Sequence, residues 1–416
     1  LARELLDRGQ QVTVLGTDWA ASRAQAQSIP FESIAPTIVS NLGGVEECFG
    51  RYVFPSYAPT FRFFDRALQR RERLVVVNWT NCASSTLMCE RHGLELCRLV
   101  AAPYFLPSLV APPQPWASQI RPGSSASQAR SMLLASYAQY YAQPFILEHL
   151  NAHRRQLGLD PVASTYALSQ LVDHYIGLFP EWYGGAPRDW PADFPRVGFP
   201  LPAPAGELPE VVMQHIAQHG APIVFAPGTA AGNSERFASA ATDCCEQLGV
   251  SGVVLGAVQD GYRGSDRRVL GLRHVELALL LRHAAAVVHH GGIGTTARAF
   301  EAGLPQIISP QGFDQPDNAE RVVRGGVGAY LPRSALSGQS LASAIRPLLS
   351  STKVEARARQ LAALVRADRA VEKAVDCLLE RFVHRLRRES GAGAPRERRH
   401  ARPAGGTTDS RSTGSP

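Results

Sequence analysis

Residues 287–305 read Val-Val-His-His-Gly-Gly-Ile-Gly-Thr-Thr-Ala-Arg-Ala-Phe-Glu-Ala-Gly-Leu-Pro. The order is a β-branched run, a glycine-rich turn, a helical stretch and a Gly303-Leu304-Pro305 stop. Gly291, Gly292 and Gly294 carry no Cβ, so a ligand can come close to the backbone. The turn feeds a helix N-terminus, where unpaired N–H groups and the helix dipole favour an anion. Thr295 and Thr296 place hydroxyls in the first turn, and His290 adds a donor. Such a set forms a cradle for a diphosphate. Taken alone it is weak evidence: G-G-x-G is not the G-x-G-x-x-G of dinucleotide folds, and a capped glycine turn without a ligand is the plainer reading.

The next segment raises its weight. Residues 309–318 read Ser-Pro-Gln-Gly-Phe-Asp-Gln-Pro-Asp-Asn and follow the strand expected at Gln306-Ile307-Ile308. They therefore lie at the same carboxyl edge of the sheet as the glycine turn, where open α/β sheets bind ligands. Asp314 and Gln315 offer adjacent acceptors and donors, as vicinal sugar hydroxyls require. The competing reading is a polar loop in which Asn318 caps the following helix.

The elements that must position these residues recur along the chain as a short apolar run, a turn and a helical stretch. Gln11–Leu15 and Leu74–Val77 read as strands apolar on both faces, the second followed by a helical pattern through Cys89. The grammar restarts at Ile223–Ala226, Gly252–Gly256, Ala286–Val288 and Gln306–Ile308. This is a doubly wound α/β signature. Pro195, Pro200, Pro202, Pro204 and Pro209 mark a linker between the halves. The expected organisation is an N-terminal domain at 1–198, a linker at 199–212, a C-terminal domain at 213–385 and a disordered tail at 386–416. Residues 103–125 read as a long loop, and 354–385 as helical. A strand should precede each helix, yet the chain opens on helix-like Leu1-Ala2-Arg3-Glu4-Leu5-Leu6. The expectation is a missing first strand and a fragmentary chain.

The 416 residues are 45% apolar and 19% charged, which suits two folded domains. The net charge is +7, but Arg385–Pro416 holds eight Arg against three acids, leaving about +2 on the body. The basicity belongs to a Gly/Pro/Ser/Arg tail, so a solvated extension is expected rather than a nucleic-acid arm, with weak attraction to an anionic membrane surface. Seven cysteines without CxxC spacing or a secretory leader point to free thiols, a cytoplasmic location and no zinc site. Cys244 and Cys245 are expected to share a helix as small apolar residues.

His289-His290-Gly291-Gly292-Ile293-Gly294-Thr295-Thr296, Ala302-Gly303-Leu304-Pro305-Gln306 and Asp314-Gln315-Pro316-Asp317-Asn318-Ala319 together resemble one family. It comprises plant natural-product glucosyltransferases, bacterial macrolide and glycopeptide glycosyltransferases, and the rhamnosyltransferases of rhamnolipid synthesis. Asn151–Leu159, Leu178–Tyr183, Asp189-Trp190-Pro191 and Gly198–Leu201 are similar to the rhamnolipid branch, and the resemblance fades after about residue 385. It implies the GT-B fold: α/β, two Rossmann-like domains facing each other across a cleft, donor on the C-terminal one and acceptor on the N-terminal one. It implies inverting, metal-independent transfer from a nucleoside-diphosphate sugar, with no cofactor besides that co-substrate. His290, Gly292, Gly294 and Thr295 fall on its phosphate-binding positions, with Gly291 in the same turn. Asp314 and Gln315 fall on its sugar-binding positions. Gly228-Thr229 matches a loop that touches the diphosphate. His274 falls where an aromatic ring stacks on the nucleobase, and Val275 where the backbone contacts its edge.

The sequence departs from the family in three places. The general base belongs on the loop after the missing first strand, so none is named. Arg298 stands where many relatives have a Glu that binds ribose hydroxyls. That favours a thymidine-diphosphate donor over a uridine one; the alternative is an Arg298–Glu301 pair. Glu276 replaces a common Pro beside His274. On the acceptor side Phe54, Tyr57, Phe61, Phe63 and Phe64 cluster, and Trp79 and Asn81 follow a strand. Phe54, Tyr57 and Trp79 are the pocket candidates for an apolar or lipid acceptor; helix packing onto the core is the alternative. The main expectation is transfer of a hexosyl or deoxyhexosyl group, rhamnosyl included. A truncated, non-catalytic nucleotide-sugar-binding or partner-subunit relative is the rival. A nicotinamide dehydrogenase lacks its turn, and a nucleic-acid binder would rest on the tail alone.

Overall fold

Runs of three or four residues with nearly every side chain buried build the sheet that carries the candidate site. The computed structural model describes residues 1–36, 45–70, 72, 74–79, 82–228, 234–256 and 268–389. The strands are β1 (Val14–Thr17), β2 (Phe31–Ala35), β3 (Val76–Trp79), β4 (Leu96–Val100), β5 (His174–Gly177), β6 (Ile223–Ala226), β7 (Gly252–Leu255), β8 (Val269–Leu272), β9 (Ala286–His289), β10 (Gln306–Ile308) and β11 (Gly328–Tyr330). β6 to β11 form one parallel sheet in the order β11-β10-β9-β6-β7-β8. Successive residues point to opposite faces. Ile223, Phe225, Val254, Val288 and Ile307 pack under the helix Ser234–Leu248 and against Leu341 and Ile345. Val224, Val253, Leu270 and Val287 pack against Val212, Leu280, Leu281 and Ala299. A sheet covered on both faces explains why its strands read as continuous apolar runs. Cys244 and Cys245 do share the helix Ser234–Leu248, and both are buried.

The leading part of the chain differs from expectation. β1 and β2 form a parallel pair, and β3-β4-β5 a separate three-stranded sheet; among the described residues no strand joins them. The first strand begins at Val14 rather than Gln11, and the strand expected at Leu74–Val77 spans Val76–Trp79. β3 is also not apolar on both faces in the sense expected. Val76 and Asn78 are buried, while Val75, Val77 and Trp79 are 39%, 37% and 45% exposed. Its inward face is partly polar: Asn78 Nδ2 donates to the Ser85 and Thr86 hydroxyls, and Arg98 of β4 donates to Thr86 Oγ1. The expected helix at 354–385 is two, Thr352–Ala367 and Ala370–Glu389.

Leu1–Cys377 is one compact unit and Leu378–Pro416 another. No helix or strand occupies 197–209. Before it and at its start, Phe179, Tyr183, Trp190, Phe194 and Phe199 pack with Ala297, Phe300, Ala319 and Val322. The Phe300 ring meets Trp182 edge-on at 5.2 Å and stacks on Phe199 at 6.3 Å. These aromatics hold the helix that bears the glycine turn. Phe300→Ala should therefore lower stability by about 3–5 kcal/mol in urea denaturation. A loss under about 1 kcal/mol would show that the ring does not anchor that helix.

Candidate functional site

In the six-stranded sheet the chain builds outward in one direction from β6 through β7 to β8, and in the other from β9 through β10 to β11. β6 and β9 are neighbours, pairing Ala226 with His289. The order reverses between them, and such a switch point opens a crevice at the carboxyl ends of the strands. Gly228 follows β6 and His290 follows β9, so both sit at that crevice.

His289 is wholly buried. Its Nδ1 accepts the Gly291 N–H at 3.1 Å, and its Nε2 lies 3.0 Å from Gln306 Oε1 as donor. These two bonds call for the neutral imidazole with the proton on Nε2. Burial, then the neighbouring His290 ring, pushes its pKa down to about 3 against the pull of Gln306. His290 points the other way and is half-buried, with Nδ1 3.5 Å from the Ala226 carbonyl. Burial lowers its pKa as well. Two glycines make room for its ring. A Cβ on Gly228, where φ is +89°, would lie 2.8 Å from Nδ1, and one on Gly292 would lie 2.5 Å from Nε2.

The helix α1 (Ile293–Ala302) starts at Gly292, with no side-chain cap. Gly294 is exposed and has open space around it, and Thr295 is half-buried in the same turn. Thr296 does not supply a ligand hydroxyl as expected. It is buried and donates to the Gly292 carbonyl at 3.1 Å, the usual back-bond of an inward-facing helical Thr.

A second helix, α2 (Gln315–Arg324), begins directly after Asp314. Asn318 is not its cap but a buried residue inside it. Its Nδ2 donates to Asp314 Oδ2 at 2.7 Å and to the Gly291 carbonyl at 2.8 Å, and its Oδ1 accepts the Tyr183 hydroxyl at 2.7 Å. Burial raises the Asp314 pKa, opposed by Asn318 and by the Ile293 N–H. Gln315 is half-engaged: its Oε1 accepts the N–H groups of Gln311 and Gly312 at 2.7 and 3.3 Å, shaping its own loop. Asp317 pairs with Arg321 at 2.6 Å and accepts the Gln114 N–H at 3.1 Å, tying the long loop at 103–125 to α2.

His290, Gly228, Gly291, Gly292, Gly294, Thr295, Asp314 and Gln315 thus gather at one sheet edge. His274 and Val275 follow β8, at the same carboxyl edge of the sheet but two strands from β6; His274 is exposed and Val275 buried. Thr229 and Asn81 lie outside the described residues. Arg298 reaches Glu301 at 2.7 Å and the Pro202 carbonyl, so its guanidinium is engaged within the fold. Tyr57 is 1% exposed and packs on Phe61 and His153, which makes it a core residue. Phe54 stacks on His149 at 4.4 Å, and Trp79 is open to solvent at the end of β3. Sequence reasoning missed Ser309, Arg236 and Arg333, which line a pocket beside His290. Ser309 heads the 309–318 segment but Arg236 and Arg333 belong to no motif, and the three come together only through the strand order. Among the described residues no cluster of three His, Cys, Asp or Glu could hold a metal, and no helix is long and apolar enough to cross a membrane.

Across 91% of this chain and 93% of its own, the solved glycotransferase of kitacinnamycin superposes with a TM-score of 0.68 at 18% identity. The fold is GT-B. Within this GT-B chain, residues 266–380 match the family described as the C-terminal domain of erythromycin biosynthesis protein CIII-like proteins. O-mycaminosyltylonolide 6-deoxyallosyltransferase of Streptomyces fradiae is 29% identical over 236 residues, 55% of each chain. Vancomycin aglycone glucosyltransferase of Amycolatopsis orientalis is 30% identical over 225 residues, 53% of this chain and 54% of its own. The chain spans just over half the length of these curated relatives.

The buried His289 gives the GT-B chain a pH signature. Its folded pKa of about 3 lies below the ordinary value of 6.5, so the unfolded chain takes up the proton first. Its contribution is complete above pH 6.5 and is lost as pH falls, by about 1.4 kcal/mol per unit. Denaturation at pH 6.5, 5.5 and 4.5 should show this slope, and His289→Asn should flatten it. An unchanged slope in the variant would mean that His289 titrates normally.

Proposed function

We propose that this chain transfers a hexosyl or deoxyhexosyl group, rhamnosyl among them, from a nucleoside-diphosphate sugar to a hydroxyl of an apolar acceptor. The observation that carries this reading is the His290 ring seated between Gly228 and Gly292 at the switch point, over the uncapped start of α1 and within the same loop system as Asp314. The relatives' names support the choice of group, one being a 6-deoxyallosyltransferase and another a glucosyltransferase.

In this reading the acceptor oxygen attacks the anomeric carbon from the face opposite the leaving group. The carbon–oxygen bond to the diphosphate breaks, its electron pair stays with the phosphate, and the acceptor proton passes to a base. Charge accumulates on the diphosphate. The N–H groups that open α1 and the His290 ring offset it without reorganising, as an oxyanion hole does. Asp314 and the free amide end of Gln315 hold sugar hydroxyls. The proposed transfer is metal-independent. Arg298 pairs with Glu301, the alternative weighed for that position, so uridine and thymidine diphosphates are both candidate donors.

Calorimetric titration of UDP, dTDP and NAD tests the reading. A nucleoside diphosphate should bind, and His290→Ala should weaken it by about tenfold, or about 1.4 kcal/mol. Asp314→Ala should weaken the sugar nucleotide more than the free diphosphate. A folded protein that binds neither diphosphate, or that prefers NAD, would sink the proposal.

A further inference from the structure

Beside His290 a small pocket opens on the face of the sheet covered by the helix Ser234–Leu248. Phe237 and Leu336, part of the apolar layer there, form its floor. Its polar wall is Ser309, which follows β10, with Arg236 from the first turns of that helix and Arg333 from the turn after β11.

Three observations bear on what it holds. Ser309 is 5% exposed, and its hydroxyl has no hydrogen-bond partner among the described residues. A buried hydroxyl without a partner is costly unless a ligand or water completes it. Arg236 and Arg333 line the same space, and neither makes an ion pair among the described residues; Arg236 makes only a long 3.5 Å bond to the Leu336 carbonyl. Among the described residues no carboxylate lines the pocket, so none of them neutralises the two guanidiniums there. Donors on several sides, two of them cationic, suit an oxyanion with several acceptor oxygens.

We propose that Ser309, Arg236 and Arg333 form a phosphoryl subsite that holds the terminal phosphate of the departing nucleoside diphosphate. The assignment to that ligand rests on the function proposed above. The charge balance makes the subsite useful. A helix N-terminus supplies about half a positive charge, far less than a leaving diphosphate carries. Burial favours the neutral form of His290, which can donate a hydrogen bond but adds no charge. The two arginines supply what remains, and guanidiniums stay charged at any working pH.

Calorimetry at low salt separates the two ideas, with UDP, dTDP, the matching nucleoside monophosphates and inorganic pyrophosphate as probes. Arg333→Ala and Arg236→Ala should each weaken the nucleoside diphosphate by about tenfold and the double variant by more. Monophosphate affinity should change by less than about threefold, because the subsite serves the terminal phosphate. Arg333→Lys should recover part of the loss, and Ser309→Ala should produce a smaller one. Both arginines are exposed, and a thermal melt of each variant checks folding. If the nucleoside diphosphate binds the wild type and both arginine variants equally, the subsite is wrong and the transferase reading survives. If pyrophosphate binds in an arginine-dependent way but no nucleotide does, the phosphoryl subsite stands and the nucleotide-sugar reading falls. If neither binds, both are overturned.

Discussion

His289 has both ring nitrogens committed inside the protein, and the candidate site is arranged around that fact. One nitrogen holds the Gly291 N–H and the other faces Gln306 on the adjacent strand. The glycine turn is therefore fastened to β9 and β10 by a neutral, buried imidazole. Because side chains alternate along a strand and its extension, fixing His289 inward turns His290 toward the crevice. The neighbouring histidines thus divide the work: one sets the turn, the other meets the ligand.

The second constraint is α2. Asn318 joins the Gly291 carbonyl, Asp314 and the Tyr183 hydroxyl within a single side chain, and each of its bonds is 2.7–2.8 Å. Asp317 and Arg321 extend the network to Gln114 and to the Tyr183 carbonyl. Buried polar groups of this kind are costly when partly satisfied and specific when complete. Here they set the distance between the glycine turn and the loop that presents Asp314.

The sheet around the site was readable because its strands are short, apolar and β-branched: Ile223–Ala226 and Gln306–Ile308 have the bounds expected of them. β4 escaped notice because Cys97 and Arg98 interrupt its apolar run, although Asn78 and Thr86 receive the arginine in the fold. The register of β3 slipped by two because Leu74 and Val75 are as apolar as the strand itself. The glycine turn was visible because a ring must pass close to bare backbone at Gly228 and Gly292, and only one residue type allows that. The role of Asn318 was not, since a helix start and a helix interior look alike at Asp-Gln-Pro-Asp-Asn. Nor could spacing reveal Ser309, Arg236 and Arg333, which lie far apart in sequence and meet only because parallel strands bring their carboxyl ends to one edge.

The bond from Arg298 to the Pro202 carbonyl has a mechanical meaning. Residues 197–209 carry no helix or strand and would otherwise act as a slack tether. The guanidinium pins that tether to α1 itself, while Phe199 rests on Phe300 two residues further along the same helix. The helix that carries the glycine turn at its head is thus braced from the side by the connecting segment, through a hydrogen bond and a ring stack rather than through the backbone alone.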